Sequence, residues 1–181
     1  MVTHSGIGDS GNVEARTVND WVRCYQREFR LPVRERGGFV MLPITDRLCV
    51  VHLPTTRAEK VLAALREQRC EGPVLARQIR WSVLAVPDAR PSEEEAAELA
   101  GLDIDIPGIG SAVMLPTNLG RWSREGCHWV RPPSGGGDTL PALSLVLRIA
   151  VAAGPQRVST ALKESGERGK LRYDRDGVGP R

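Results

Sequence analysis

The chain has 181 residues, 41% hydrophobic and 26% charged, which fits one domain with a real core. Its net charge of +3 is unevenly placed: residues 1–153 hold 18 Lys/Arg and 18 Asp/Glu, while residues 154–181 hold seven basic and four acidic residues. A neutral body of this kind argues against strong autonomous DNA binding, and the longest apolar run, "LPALSLVLRIAVAAG", is broken by Arg148 and too short to span a bilayer.

Residues 1–16 are small, polar and aperiodic and read as a mobile leader. They lack the basic and apolar regions of a secretory signal, so a cytoplasmic location and no membrane partner are expected. A helix follows over about 17–30, with Val18, Trp21, Val22, Tyr25 and Phe29 on one face and Pro32 as its stop. Two strands, "GFVMLP" (38–43) and "LCVVHLP" (48–54), are joined by "ITDR", a hairpin-length link. Thr56 and Glu59 form a capping-box pattern opening a helix through about residue 69, with Val61, Leu62 and Leu65 as its buried stripe.

"EGPV" breaks that helix, and "RWSVLAV" (80–86) is the next strand. Ser92 and Glu95 cap a helix that Gly101 ends, and the acidic run Glu93–Glu95 suits the positive end of its dipole. Strands are expected at 110–116 and 127–133, then a nearly all-round apolar helix over 141–153, deeply buried. From residue 154 the chain is polar, basic and glycine-spotted and reads as a disordered tail. The fold class is α+β: a single domain, 17–153, with a mixed, largely antiparallel sheet, helices mainly on one face, and the other face open for a ligand or partner.

Strand alternation puts Cys49, Val51 and Leu53 on the helix-covered face and Val50, His52 and Pro54 on the open one. Cys49 and His52 therefore cannot form a catalytic pair. The four cysteines are scattered, without C-x-x-C spacing, and read as reduced thiols. Asp103 and Asp105 in "LDID" stand at strand spacing, which presents two carboxylates to a divalent metal if both face one way; otherwise they are a solvated loop end. "SGGGD" lacks the lysine of a phosphate-binding loop and reads as a connector.

Five segments in order carry a family resemblance: "CVVHLP" before a helix with "LAALREQ", "GPV" before "RWSVLAVP", "GLDIDIPGIGSAVMLPT", "HWVRPP", and the apolar helix after it. Over residues 37–153 this order resembles the N-terminal domain of bifunctional DNA primase/polymerases, most closely its small actinobacterial members. The resemblance implies a sheet face built for two-metal nucleotidyl transfer. Its first acid pair corresponds to His52 and Pro54, its Ser/His motif lies near Arg80, Trp81 and Ser82, and its third acid corresponds to Asp103. Neither His52 nor Pro54 replaces a carboxylate on Mg²⁺, so the resemblance implies a degenerate, non-catalytic site.

The expected role is then binding of a nucleotide, DNA or a protein partner at that face, with no cofactor. Arg80 meets a phosphate and Trp81 stacks a base if both face outward; otherwise Trp81 is core and Arg80 caps an edge. Two alternatives stand beside it. One is residual nucleotidyl transfer with Mg²⁺ or Mn²⁺ on Asp103, Asp105 and Asp88, and the other is a pure protein-interaction module.

Overall fold

A computed structural model describes residues 16–119, 123–135 and 139–154. The leader up to residue 15, the tail from 155 and most of "SGGGD" lie outside the described residues. The elements are α1 (Val18–Arg27), β1 (Arg34–Arg36), β2 (Phe39–Pro43), β3 (Cys49–Pro54), α2 (Thr55–Glu67), β4 (Val74–Ala76), β5 (Arg80–Ala85), α3 (Glu93–Gly101), β6 (Ala112–Leu115), β7 (His128–Arg131) and α4 (Leu143–Ala152). The fold is α+β, but the strands form two sheets where the sequence predicts one: β1-β2-β6 and β3-β5-β4-β7, with every ladder antiparallel.

The two sheets separate at "ITDR". This link is a corner and not a hairpin. The Thr45 hydroxyl accepts from the backbone N–H groups of Arg47 and Leu48, and the Thr45 N–H donates to the Leu48 carbonyl. The chain leaves β2, which pairs with β6, and enters β3, which pairs with β5. A hairpin joins β1 to β2 instead, through Gly37 and Gly38, whose φ angles of +61° and +81° favour glycine.

β3, α2 and β4 form a split βαβ unit: β3 and β4 run the same way, with β5 inserted between them by the β4–β5 hairpin. Sheet β3-β5-β4-β7 lies between two cores. On one side Cys49, Val51 and Leu53 pack with Val61 and Leu65 of α2, Val146 of α4 and Leu99 of α3. On the other, Val50, Leu75 and Leu84 pack with Val40 and Leu42 of β2, Leu115 of β6, and Trp21 and Tyr25 of α1. The expected division of β3 by alternation holds, but its second face is not open. Val50 and Leu84 are fully buried under the smaller sheet and α1.

Helix ends differ from expectation at α1 and α2, and α4 differs in its burial. α1 carries a capping box of Thr17 and Asp20 and stops at Arg27, before the residue-30 limit set by Pro32; Arg30 then adopts φ +55°. α2 starts at Thr55 with Pro54 as its N-cap and no side-chain cap, so the Thr56–Glu59 box does not form. α3 has the predicted Ser92–Glu95 box. α4 buries only Leu143, Val146 and Ala150, and Val151 is largely exposed, because one face alone meets α2 and β3.

Both ends of α4 are capped by other elements. Ala142 offers no side chain at the N-cap, and Asp88 accepts from the Ser144 N–H at 2.9 Å and from its hydroxyl. At the other end the buried Arg57 guanidinium donates to the Ala150 carbonyl, and Lys60 donates to Ala153 at 3.2 Å. These contacts place carboxylate and cations at the helix ends that attract them.

The two sheets and α1 meet at a buried hydroxyl. Tyr25 donates to the Pro116 carbonyl at 2.8 Å and accepts from the Trp129 indole N–H at 2.8 Å, and Tyr25 has no exposed surface. Tyr25→Phe keeps the ring and strands both partners, so we expect a loss of about 1–3 kcal/mol in urea unfolding. A loss below about 0.5 kcal/mol would mean the network contributes no net stability.

Candidate nucleotide-binding face

Register across β3 and β5 opposes His52 to Ser82, Leu53 to Trp81 and Pro54 to Arg80. Alternation then sends Arg80 and Ser82 to the face of His52 and Trp81 to the opposite face, where it packs against the helix-side core. Of the two orientations open from sequence, the structure is nearer the one in which Trp81 is core: it is partly buried against the helix-side cluster. Arg80 and Trp81 cannot jointly grip one nucleotide.

Asp103 and Asp105 reach this face by a turn and not along a strand. After α3, the Asp103 N–H donates to Ala100 and the Ile104 N–H to Leu99, at 3.0 and 2.9 Å, which is a Schellman closure. Asp103 holds the left-handed position at φ +58°, where glycine is commonest and Asp is tolerated. Its carboxylate pairs with the Arg80 guanidinium. Asp105, two residues on, bridges the edge of β3 through its backbone: the His52 N–H donates to Asp105 at 2.8 Å and the Asp105 N–H to His52 at 3.1 Å.

His52 is half-buried, and its Nδ1 lies 2.8 Å from the hydroxyl of fully buried Ser82, the two sharing one hydrogen bond. Burial lowers the His52 pKa; Asp105 opposes that shift, while Arg80 and Arg77 add to it. The imidazole is therefore neutral at pH 7. Ser82 is shielded from solvent and bonded to that ring, so it presents no accessible nucleophile.

The structure thus brings His52, Ser82, Arg80, Asp103 and Asp105 together and separates Trp81. Among the described residues no three His, Cys, Asp or Glu side chains gather as a metal-binding group. Asp88, a third acid in the residual-transfer alternative, is hydrogen-bonded to Ser144, and this bonding lowers its pKa.

Sequence reasoning missed a cleft of about 780 Å³ bordered by Asp105. It is walled by Ile44, Leu99, Ile104, Ile106 and Leu143, with Cys49 in its lining. The Cys49 thiol donates to the Ala85 carbonyl and burial pushes its pKa up to about 11, so it is an inert wall. The lining comes from segments far apart in sequence, and no local pattern announces it.

The His52 environment has a direct test. By NMR the His52 ring should titrate below 6.5; Arg80→Gln should raise that pKa and Asp105→Asn should lower it further. With the folded pKa below the unfolded one, His52 adds stability that is full above pH 6.5 and fades as pH falls through the folded value. A titration at or above 6.5 would contradict the assigned burial and charge balance.

No helix among the described residues is long and apolar enough to cross a membrane. Comparison with protein-family models, curated proteins and solved structures finds no match for this chain.

Proposed function

We propose that the chain is a non-catalytic, primase/polymerase-like domain of the cytoplasm that binds the phosphates of a nucleotide or nucleic acid at the His52–Ser82–Arg80 face without a catalytic metal pair. The observation carrying this reading is convergence. The three segments that resemble the family's acid, Ser/His and third-acid motifs are far apart in sequence, yet they meet through the His52–Ser82 hydrogen bond, the Arg80–Asp103 pair and the His52–Asp105 bridge.

The chemistry at that point favours anion binding over metal catalysis. The two positions of the first acid pair are a neutral imidazole and a proline. Asp103 is engaged by Arg80, which leaves the Arg80 fork with further N–H donors and its side chain 33% exposed. Arg77, at the other end of the β4–β5 turn, adds a second cation to the local field at His52. A phosphate oxygen can compete with the exposed Asp103 carboxylate for Arg80.

Anisotropy with a fluorescent nucleoside triphosphate and with a labelled single-stranded oligonucleotide, both in EDTA, separates the two phosphate sources. Saturable binding of at least one is expected, weakened about tenfold by Arg80→Gln and strengthened by Asp103→Asn, which releases Arg80. Mn²⁺-dependent incorporation of labelled nucleotide into a primed template, lost in Asp103→Ala, would overturn the reading in favour of residual nucleotidyl transfer. Absence of binding to either probe would also overturn it.

A further inference from the structure

We infer that the cleft beside α3 is a second, separate ligand site, and that it takes a small apolar molecule carrying one cationic group. Its volume of about 780 Å³ lies within the range of small-molecule sites. Its back wall is preformed, with Ile44, Leu99, Ile104 and Leu143 held in the two cores, and Ile106 and Ile109 offer the free apolar surface at its margin. A ligand body placed there gains apolar contact without ordering new elements, which keeps the entropic cost of binding low.

Charge then selects among apolar ligands. Asp46, Asp88 and Asp105 line the cleft against one guanidinium, Arg90. Asp88 is engaged at the N-terminus of α4 and the Asp105 carboxylate also acts on His52, whereas no hydrogen bond or ion pair to a described residue engages the carboxylate of Asp46. Asp46 and Asp105 are solvent-exposed at the cleft margin, where their partly screened charges attract an ammonium and disfavour an anion of the same shape. The nucleotide phosphates proposed for the His52–Arg80 face are disfavoured here by the same charges. Asp105 borders both sites, so Arg80→Gln, which lies outside the cleft lining, tells them apart: it should weaken nucleotide binding and leave tryptamine binding unchanged.

Tryptamine and indole-3-propionate are suitable probes, being similar apolar bodies of opposite charge. In ¹⁵N-edited NMR titrations of the full chain, tryptamine should give saturable shifts at Ile44, Asp46, Leu99 and Asp105. Indole-3-propionate should bind at least about tenfold more weakly. The double substitution Asp46→Asn with Asp105→Asn should weaken tryptamine by about tenfold and narrow the difference between the two probes. The wild-type comparison stands without the variant. Equal binding of the two probes, shifts centred outside the cleft, or no saturation by about 10 mM tryptamine would each overturn the inference.

Discussion

Two backbone hydrogen bonds, exchanged between His52 and Asp105, tie the segment after α3 to the outer edge of β3. β3 is an edge strand, and an uncovered edge is a liability that proteins close with a loop, a charge or a bulge. Here the closure also creates the polar face. Because Asp105 is held beside His52, the Schellman turn at Asp103 delivers a carboxylate to Arg80, and the same segment also walls a cleft. One strand-edge contact therefore organises both candidate sites.

That contact works only because β3 is held firmly from both faces. Val50 and Val51 are fully buried on opposite sides, one under the smaller sheet and α1, the other under α2 and α4. His52 follows Val50 on the same face but falls at the margin of that core, half-buried. Burial at that point suppresses the charged imidazole, and Arg77 and Arg80 act in the same direction. The outcome is a half-buried ring bonded to a buried serine, with Arg77, Arg80 and the Asp103 and Asp105 carboxylates around it.

Much of the fold was legible where a segment carries its own signal. The Ser92–Glu95 box, the β5 run "RWSVLA", and the alternation in "CVVHLP" each appear as predicted. Elements without a local period were not legible. β1 is "RER", wholly exposed and without apolar alternation, and only Gly37-Gly38 hints at its hairpin; β4 is three buried residues, too few to show any period. The separation into two sheets depends on the Thr45 corner, which looks like a hairpin link when read by length alone. Trp81 illustrates the limit at the site: parity separates it from Arg80, but only packing decides which face each one takes.

On the proposed reading, the His52–Arg80 face binds phosphate without an assembled metal pair. Paramagnetic broadening in ¹⁵N-edited NMR, with a nucleoside triphosphate added first and Mn²⁺ second, addresses it most directly. Nucleotide-induced shifts are expected at Arg80, Ser82 and His52 before any metal is present, with no selective broadening of Asp103 and Asp105 beyond what the nucleotide-bound Mn²⁺ causes along its phosphates. Strong Mn²⁺ broadening centred on Asp103 and Asp105 in the absence of nucleotide would contradict it and restore a metal site.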